Sequence, residues 1–505
     1  MDELQIKSPT NRLAGVCLYG NAAIVIFFAL YFLIVPGFMV MRHLSDPELK
    51  GSGVPAMAWQ LHHRMSPDYA RWARERVEAN KAANLDLHNI SGTEWPVFGT
   101  VFYLWATEAL QAAWDQDNSL WAAAPKDYAQ ETIEAAVDLV LDPGHHSWVQ
   151  RHWGNDYLHE ENVFFRMLLI AALTSHENLI GDGRHRDMLK DQVENLMAEL
   201  DASPMGVLDD YPGQCYPPDV LVALACIQRA DKVLGTDHSA SIQRAARAFE
   251  GQLLDKRGMI PFRVNRQSGK TVQPARASAT SFLLLFAHEL WPDKAKAWYE
   301  GYENHYWQSL AWADGFREFP AEIEGRNFLY DVDAGPVLFG FSPSGNAFGV
   351  AAAKINGRLD HAYTLGAQVL AASWPLPNGR LLGPWLLSDR EHAPWLGEVC
   401  LLYTMSQSTA PGMTLQTGGR KPLLIAIGYL IYFGVGGCFL FFAIRSMKTW
   451  QKTRSSVIVY SEAAQVGSWV FLLLVAGLLA LLGHILVALI ALVVAQLFPV
   501  IKTWG

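Results

Sequence analysis

The sequence predicts an all-α domain, a closed α/α barrel, held between hydrophobic membrane anchors. Three observations predict it. Apolar residues recur at helical spacing through the middle of the chain, strand patterns are scarce there, and the longest apolar runs lie near the two ends.

The chain has 505 residues, enough for one large domain plus anchors. Its 51% hydrophobic content against 18% charged is high for a purely soluble protein, and the excess is concentrated in the terminal runs. A net charge of −9 argues against nucleic acid, which requires a basic face to neutralise phosphates. Five cysteines are too few for a disulfide framework, and two of them, Cys17 and Cys438, sit in apolar runs.

The anchors come first. After a tail of residues 1–12, residues 13–41 are almost uninterrupted apolar sequence, longer than the roughly 20 residues a spanning helix requires. A cleaved signal peptide fits less well, because the run is too long and no A-x-A-like site follows. Cys17 lies near its start, which does not suit a lipoprotein signal. Residues 423–444 form a second span. Residues 466–500 form a third, reaching about 50 Å as one helix, so it reads either as one tilted helix or as two short ones broken near Gly483-His484. Between them, segment 445–465 carries Arg445, Lys448, Lys452 and Arg454, which marks it as cytoplasmic. The domain, 42–420, then lies on the outer face, the periplasm of a bacterial inner membrane.

Within the domain, helices are predicted at 97–114, 130–141, 162–176, 185–200, 220–234, 239–254, 278–290, 294–308, 346–356, 359–373 and 396–405. Breakers such as Asp142-Pro-Gly, Gly181-Asp-Gly and Trp291-Pro-Asp separate them. The best strand candidate is a hairpin in 258–272 turning at Ser268-Gly269. About a dozen helices joined alternately by short and long connections suit antiparallel helix pairs closing into a barrel. An open solenoid is the alternative, disfavoured by the lack of a fixed-period repeat. The longer connections, 148–161, 208–219, 261–276, 315–335 and 381–395, then gather at one end and carry the functional side chains.

Connection 208–219 (LDDYPGQCYPPD) is the richest. It holds the carboxylates Asp209, Asp210 and Asp219, the phenols Tyr211 and Tyr216, and the Cys215 thiol. Neighbouring carboxylates in a low-dielectric pocket resist joint ionisation, so one keeps its proton and becomes a general acid. The plainer reading is a rigid proline-rich turn, with Asp219 suited to a helix start. The stretch 145–162 gathers four histidines and several acids, but no ligand spacing such as H-E-x-x-H, so no metal is expected. Its Gly154-Asn155 break argues against a helix carrying both His152 and His159. Asp156, Tyr157 and Glu161 are pocket candidates because an apolar helix follows them. Arg317 and Glu318 read as a surface ion pair of little weight, and Asp333 as a turn residue leading into the next helix. Of 18 tryptophans, Trp95 and several others lie near helix starts, where they either fill the core or wall a site for an apolar or sugar-like ligand.

The order of several local motifs resembles the linalool dehydratase/isomerase family. They are Glu161-Asn162 opening a helix, Gln214-Cys215 ahead of an apolar helix, Gly235-Thr236-Asp237 between helices, then Leu253-Leu254-Asp255, Ser268-Gly269 and Pro274, over a stretch from 161 to about 302. The resemblance implies an (α/α)6 barrel and cofactor-free acid–base chemistry on a tertiary or primary allylic alcohol. A second family cysteine falls where this chain has Leu208, Asp209 and Asp210. A family histidine aligns with Leu168, and a family tyrosine with Ala279.

The reading is therefore a membrane-anchored lyase or isomerase acting on a terpenoid or other apolar alcohol. Asp210, Cys215, Asp209 and Tyr157 are its catalytic candidates. Asp156, Glu161, Tyr211, Tyr216, Asp219, Arg276, Glu318, Asp333 and Trp95 are its substrate-binding candidates. A carbohydrate-active hydrolase or lyase on the same scaffold, and a non-catalytic envelope-binding protein, are the alternatives. Self-association is compatible with all three.

Overall fold

A computed structural model describes residues 9–323 and 325–452, with a few isolated positions between 472 and 491. The expected third span, 466–500, and most of the basic segment before it lie outside the described residues. The described chain divides into two compact units, one of residues 39–426 and one formed by the two flanking segments.

Twelve helices frame the larger unit. They are α1 (Ala56–Ala79), α2 (Trp95–Gln116), α3 (Gln130–Leu141), α4 (Val163–Leu179), α5 (Arg186–Ala202), α6 (Pro217–Leu234), α7 (Ser239–Glu250), α8 (Ala277–Leu283), α9 (Pro292–Tyr306), α10 (Pro343–Ile355), α11 (Leu359–Ser373) and α12 (Leu396–Ser406). The even-numbered helices are apolar on nearly every face, a pattern that requires burial all round. They pack in order: α2 on α4, α4 on α6, α6 on α8, α8 on α10, α10 on α12, and α12 back on α2. Among the odd-numbered helices, α3 packs on α2 and α4, and α5 on α4 and α6. The apolar α11 packs on α10 and is covered further by the flanking chain, where Leu49 lies against Gly366 and Asp360 N donates to Gln416 O.

Interdigitated rings fill the space between the even helices. Phe102 stacks on Tyr403 with centroids 5.4 Å apart and meets Phe348 at 5.4 Å, while Phe282 meets both Phe348 and Phe286. Offset and edge-on ring pairs of this kind add to the area they bury.

Most predicted helices are present, two of them, 130–141 and 359–373, with the expected bounds. Helix α1 is not anticipated by the sequence reading, because Pro67 interrupts it. Pro67 lies on its exposed side, where a missing backbone donor is tolerated, while Trp59, His62, Met65, Tyr69 and Ala73 face inward. A further helix, Pro143–Trp153, covers the first half of the histidine-rich stretch and stops at Gly154 (φ +84°), so His152 and His159 do not share a helix. The segment expected as a helix over 278–290 is split: bonds from Leu285 to Phe282 and from Phe286 to Leu283 tighten the turn before Ala287–Leu290 resumes.

The strands form three antiparallel hairpins: β1 (Arg263–Val264) with β2 (Thr271–Gln273), β3 (Trp307–Ser309) with β4 (Asp314–Phe316), and β5 (Phe328–Asp331) with β6 (Gly335–Leu338). The first is the hairpin expected from the sequence, turning through Gly269 at φ +67°.

In the smaller unit, two helices are long and apolar enough to cross a membrane, Tyr19–Leu44 and Leu423–Lys448. Each contains a π-helical stretch, Leu30–Ile34 and Leu430–Val435, and the two helices pack together. Glycine makes the approach possible: a Cβ on Gly37 would stand 2.8 Å from Tyr432 Cβ, and one on Gly436 2.7 Å from Ile34 Cδ1.

Candidate active site

The chain runs from each odd helix to the next even helix through a long connection, and from each even helix to the next odd one through a shorter one. The long connections meet one another. Val264 N donates to Cys215 O at 3.1 Å, joining 203–216 to 251–276. Ser91 Oγ donates to Asp389 Oδ2 at 2.5 Å, joining 80–94 to 374–395. Arg276 Nε donates to Glu318 Oε1 at 2.7 Å and its Nη2 to Asp331 Oδ1 at 2.6 Å, joining 251–276 to 307–342.

Four carboxyls gather where these connections enter the even helices. Glu94 immediately precedes α2, Asp210 sits in the turn before α6, Asp219 occupies the first turn of α6, and Asp333 lies in the turn of the β5–β6 hairpin. Burial pushes Glu94 up to about 8; a hydrogen bond with Tyr211 pulls it down, and the charges of Asp333 and Asp219 push it up again. Burial and then Asp333 raise Asp219 to about 7. Asp333 rises to about 6 by burial, restrained by Arg276. Asp333 as a whole residue is exposed. Asp210 is 1% exposed and raised by burial and by Asp219, while its carboxylate accepts from the backbone of Tyr216 and Phe164. Three of the four are thus raised toward neutral pH by burial and by one another's charge, the condition under which a carboxyl can hold a proton there.

Near the starts of the even helices, Phe98, Phe164, Ala279, Ala347 and Cys400 are half-buried. Phe98 lies 5.8 Å from Phe164 and 5.9 Å from Phe282, ring to ring. The acidic cluster therefore adjoins an apolar ring pair, since the backbone of Phe164 donates to Asp210 and the Phe164 ring lies against Phe98.

Asp210, Tyr211, Asp219 and Asp333 are the sequence candidates that come together here. The other candidates have different positions. Asp209 shapes the turn, its Oδ2 accepting from Gly213 N at 2.8 Å. Cys215 is fully buried and burial holds its thiol protonated, with Asp210 and Asp209 nearby. Tyr157 bonds His146 Nδ1 at 2.8 Å and packs near Phe165. Asp156 is exposed and pairs with His159 at 2.9 Å. Glu161 accepts from Asp209 N at 2.8 Å and pairs with Arg266. Tyr216 donates to Gln214 Oε1 at 2.8 Å and lies half-buried beside Phe262. Trp95 opens α2 directly after Glu94.

Two expectations are corrected. Glu318 is not a surface partner of Arg317: it is fully buried and bound by Arg276, Ser278 and Ser342. Asp333 does not lead into α10: it sits in the β5–β6 turn, which Asp331 shapes, its Oδ1 accepting from Asp333 N and Ala334 N. Glu94 escaped the sequence reading. Its signal was positional: it stands directly before an even helix, as Asn162, Tyr216 and Arg276 do.

The histidines of 145–162 are engaged otherwise. His145 accepts from Arg76 Nε at 2.9 Å and contacts Asp142, and His146 lies between Tyr157 and Val140 O. A different group, His176, Glu177 and Asp182, has its ligand-type atoms within 4.8 Å of one another. There Arg184 donates to His176 Nε2, which leaves the ring proton on Nδ1, the nitrogen that faces the carboxylates. That protonation does not suit a metal ligand.

No known family model matches the chain, and no curated protein matches it either.

Proposed function

We propose that the larger unit is an (α/α)6 barrel with a cofactor-independent acid–base centre at its mouth, which dehydrates or isomerises a neutral, apolar alcohol of the terpenoid kind. The observation that carries this is the convergence of Glu94, Asp219 and Asp333 from separate parts of the chain, three carboxyls raised by burial, next to the Phe98–Phe164 ring pair. The barrel reading is supported by the order in which the even helices pack, back to the first.

In this reading Glu94, protonated at neutral pH, donates its proton to the substrate hydroxyl. The C–O bond breaks and water leaves. Asp333, ionised, takes a proton from the adjacent carbon, and the electron pair of that C–H bond becomes the new double bond. Asp333 passes that proton to Asp219, which returns it to the Glu94 carboxylate. For isomerisation, water instead adds to the other carbon of the allylic cation before Asp333 acts, and its surplus proton passes to the Glu94 carboxylate. The acidic cluster repels phosphorylated and carboxylated substrates, and the adjoining apolar rings reward burial of a hydrocarbon chain.

More than two carboxyls at one mouth also favour a second reading, cleavage of a glycosidic bond between an acid and a base. We further propose that the domain lies in the bacterial periplasm, supported by the basic residues Arg445, Lys448 and Lys452 that follow the second candidate span.

The test incubates the full chain in detergent with tertiary and primary allylic alcohols, and separately with aryl glycosides. The expected outcome is alkene or rearranged alcohol from the first set, lost about 100-fold or more in Glu94→Gln and Asp219→Asn, the usual worth of a positioned acid or base. Undiminished turnover in both folded variants contradicts the proposal, and hydrolysis of the glycosides alone replaces it with the second reading.

A further inference from the structure

A two-stranded hairpin on a protein surface normally turns polar side chains outward. The β5–β6 hairpin does the opposite. Phe328 is 60% exposed, Tyr330 72% and Leu338 55%, while Leu329 is half-buried and Val337 fully buried. The register pairs Phe328 with Leu338 and Tyr330 with Pro336, which puts these apolar side chains on one outward face. Phe339, just beyond the hairpin and 50% exposed, meets Phe328 with ring centroids 4.9 Å apart. A contiguous exposed patch of large apolar residues marks a surface that something covers.

We propose that this face rests in the headgroup–acyl boundary of a lipid bilayer. Chain connectivity supplies the occupant. Phe339 packs on Trp312 at 5.1 Å, and the Trp312 carbonyl accepts from Leu424 N at 2.8 Å. Leu424 lies in the first turn of Leu423–Lys448, the 26-residue helix that is apolar enough to cross a membrane. The aromatic cluster is thus bonded to the first turn of that helix, and the first turn of a span lies at the depth at which Trp and Tyr concentrate. Arg326 and Lys421 are exposed on the flanking chain, where cations meet anionic headgroups.

The same hairpin carries Asp331 and Asp333 at its turn. One short element thus joins the lipid-facing surface to the acidic mouth, and a lipid-dissolved alcohol would meet the site without crossing bulk water. That consequence rests on the proposed acid–base function. The membrane contact rests only on reading Leu423–Lys448 as a span.

The experiment uses the full chain with Cys17→Ser and Cys438→Ser, reconstituted in nanodiscs of equimolar phosphatidylcholine and phosphatidylglycerol. A nitroxide is attached through Phe328→Cys or, separately, Tyr330→Cys, and signal from the background protein is subtracted. Accessibility to oxygen and to a nickel chelate is then read by power saturation. Phe442→Cys reports the span, and Lys190→Cys on α5 reports water. The expected result is an oxygen-to-nickel ratio at 328 and 330 several-fold above that at 190 and close to that at 442. Ratios at 328 and 330 equal to that at 190, with 442 lipid-like, overturn the contact while leaving the span intact. Shielding from both reagents with spin–spin broadening overturns it in favour of a second copy. A water-like ratio at 442 removes the span and this inference with it. The turnover assay in detergent is independent of all these outcomes.

Discussion

Asp219 follows Pro217-Pro218 in the first turn of α6, where the helix dipole favours a negative charge. That dipole is worth about 0.3–1 kcal/mol at an exposed site. Burial and the nearby Asp333 outweigh it and raise the carboxyl to about 7. A carboxyl raised in the folded state stabilises the fold below its ordinary range, and that contribution is lost as pH rises through about 7. Asparagine, which carries no charge, escapes this loss. Asp219→Asn is therefore expected to match the parent in Tm at about pH 4, below the raised value, and to exceed it by a few degrees at about pH 8.5, by differential scanning fluorimetry, a gain of order 1–2 kcal/mol. A loss of stability at both pH values contradicts this. Sequence alone made Asp210, Tyr211 and Asp219 legible, because one connection holds them together. Glu94 and the surroundings of Asp333 were not legible, since both depend on which distant turns meet.

The connection 307–342 shows the same division at the level of elements. Its sequence reads as a loop rich in charge, with Arg317-Glu318 as a surface pair. In the fold it is two hairpins pinned by one buried carboxylate, because Glu318 accepts from Arg276 Nε and from the hydroxyls of Ser278 and Ser342, and its carbonyl accepts from Ala277 N. Breaking a buried pair by removing one partner costs about 3–5 kcal/mol. Glu318→Ala is accordingly expected to lower stability by that order and to open 307–342 to limited proteolysis before the rest of the domain. A protease pattern and Tm unchanged from the parent contradict this role. Helix 359–373 was readable to the residue because its apolar period is unbroken. Helix α1 was hidden because Pro67 argues against it locally, while packing on α3 and α12 decides the matter tertiarily.

For the whole molecule, the alternation of short and long connections was the most informative sequence feature. It led to the expectation that the long connections meet, and Glu94, Tyr211, Asp219 and Asp333 do interact although they are far apart in the chain. The two terminal apolar runs were equally plain, since length and composition suffice to identify a helix able to cross a bilayer. Chemistry was harder to read, because proton affinity depends on desolvation that no spacing reveals. The central claim is that carboxyls at this mouth keep protons near neutral pH. The most direct measurement is the infrared C=O stretch of protonated carboxyls in the full chain in D2O, titrated from about pH 5 to about pH 9. Protonated-carboxyl absorption is predicted to persist at about pH 6.5, well above the ordinary carboxylate range, and separate components of it are predicted to vanish in Glu94→Gln and in Asp219→Asn. A spectrum at that pH unchanged by either substitution would contradict the account.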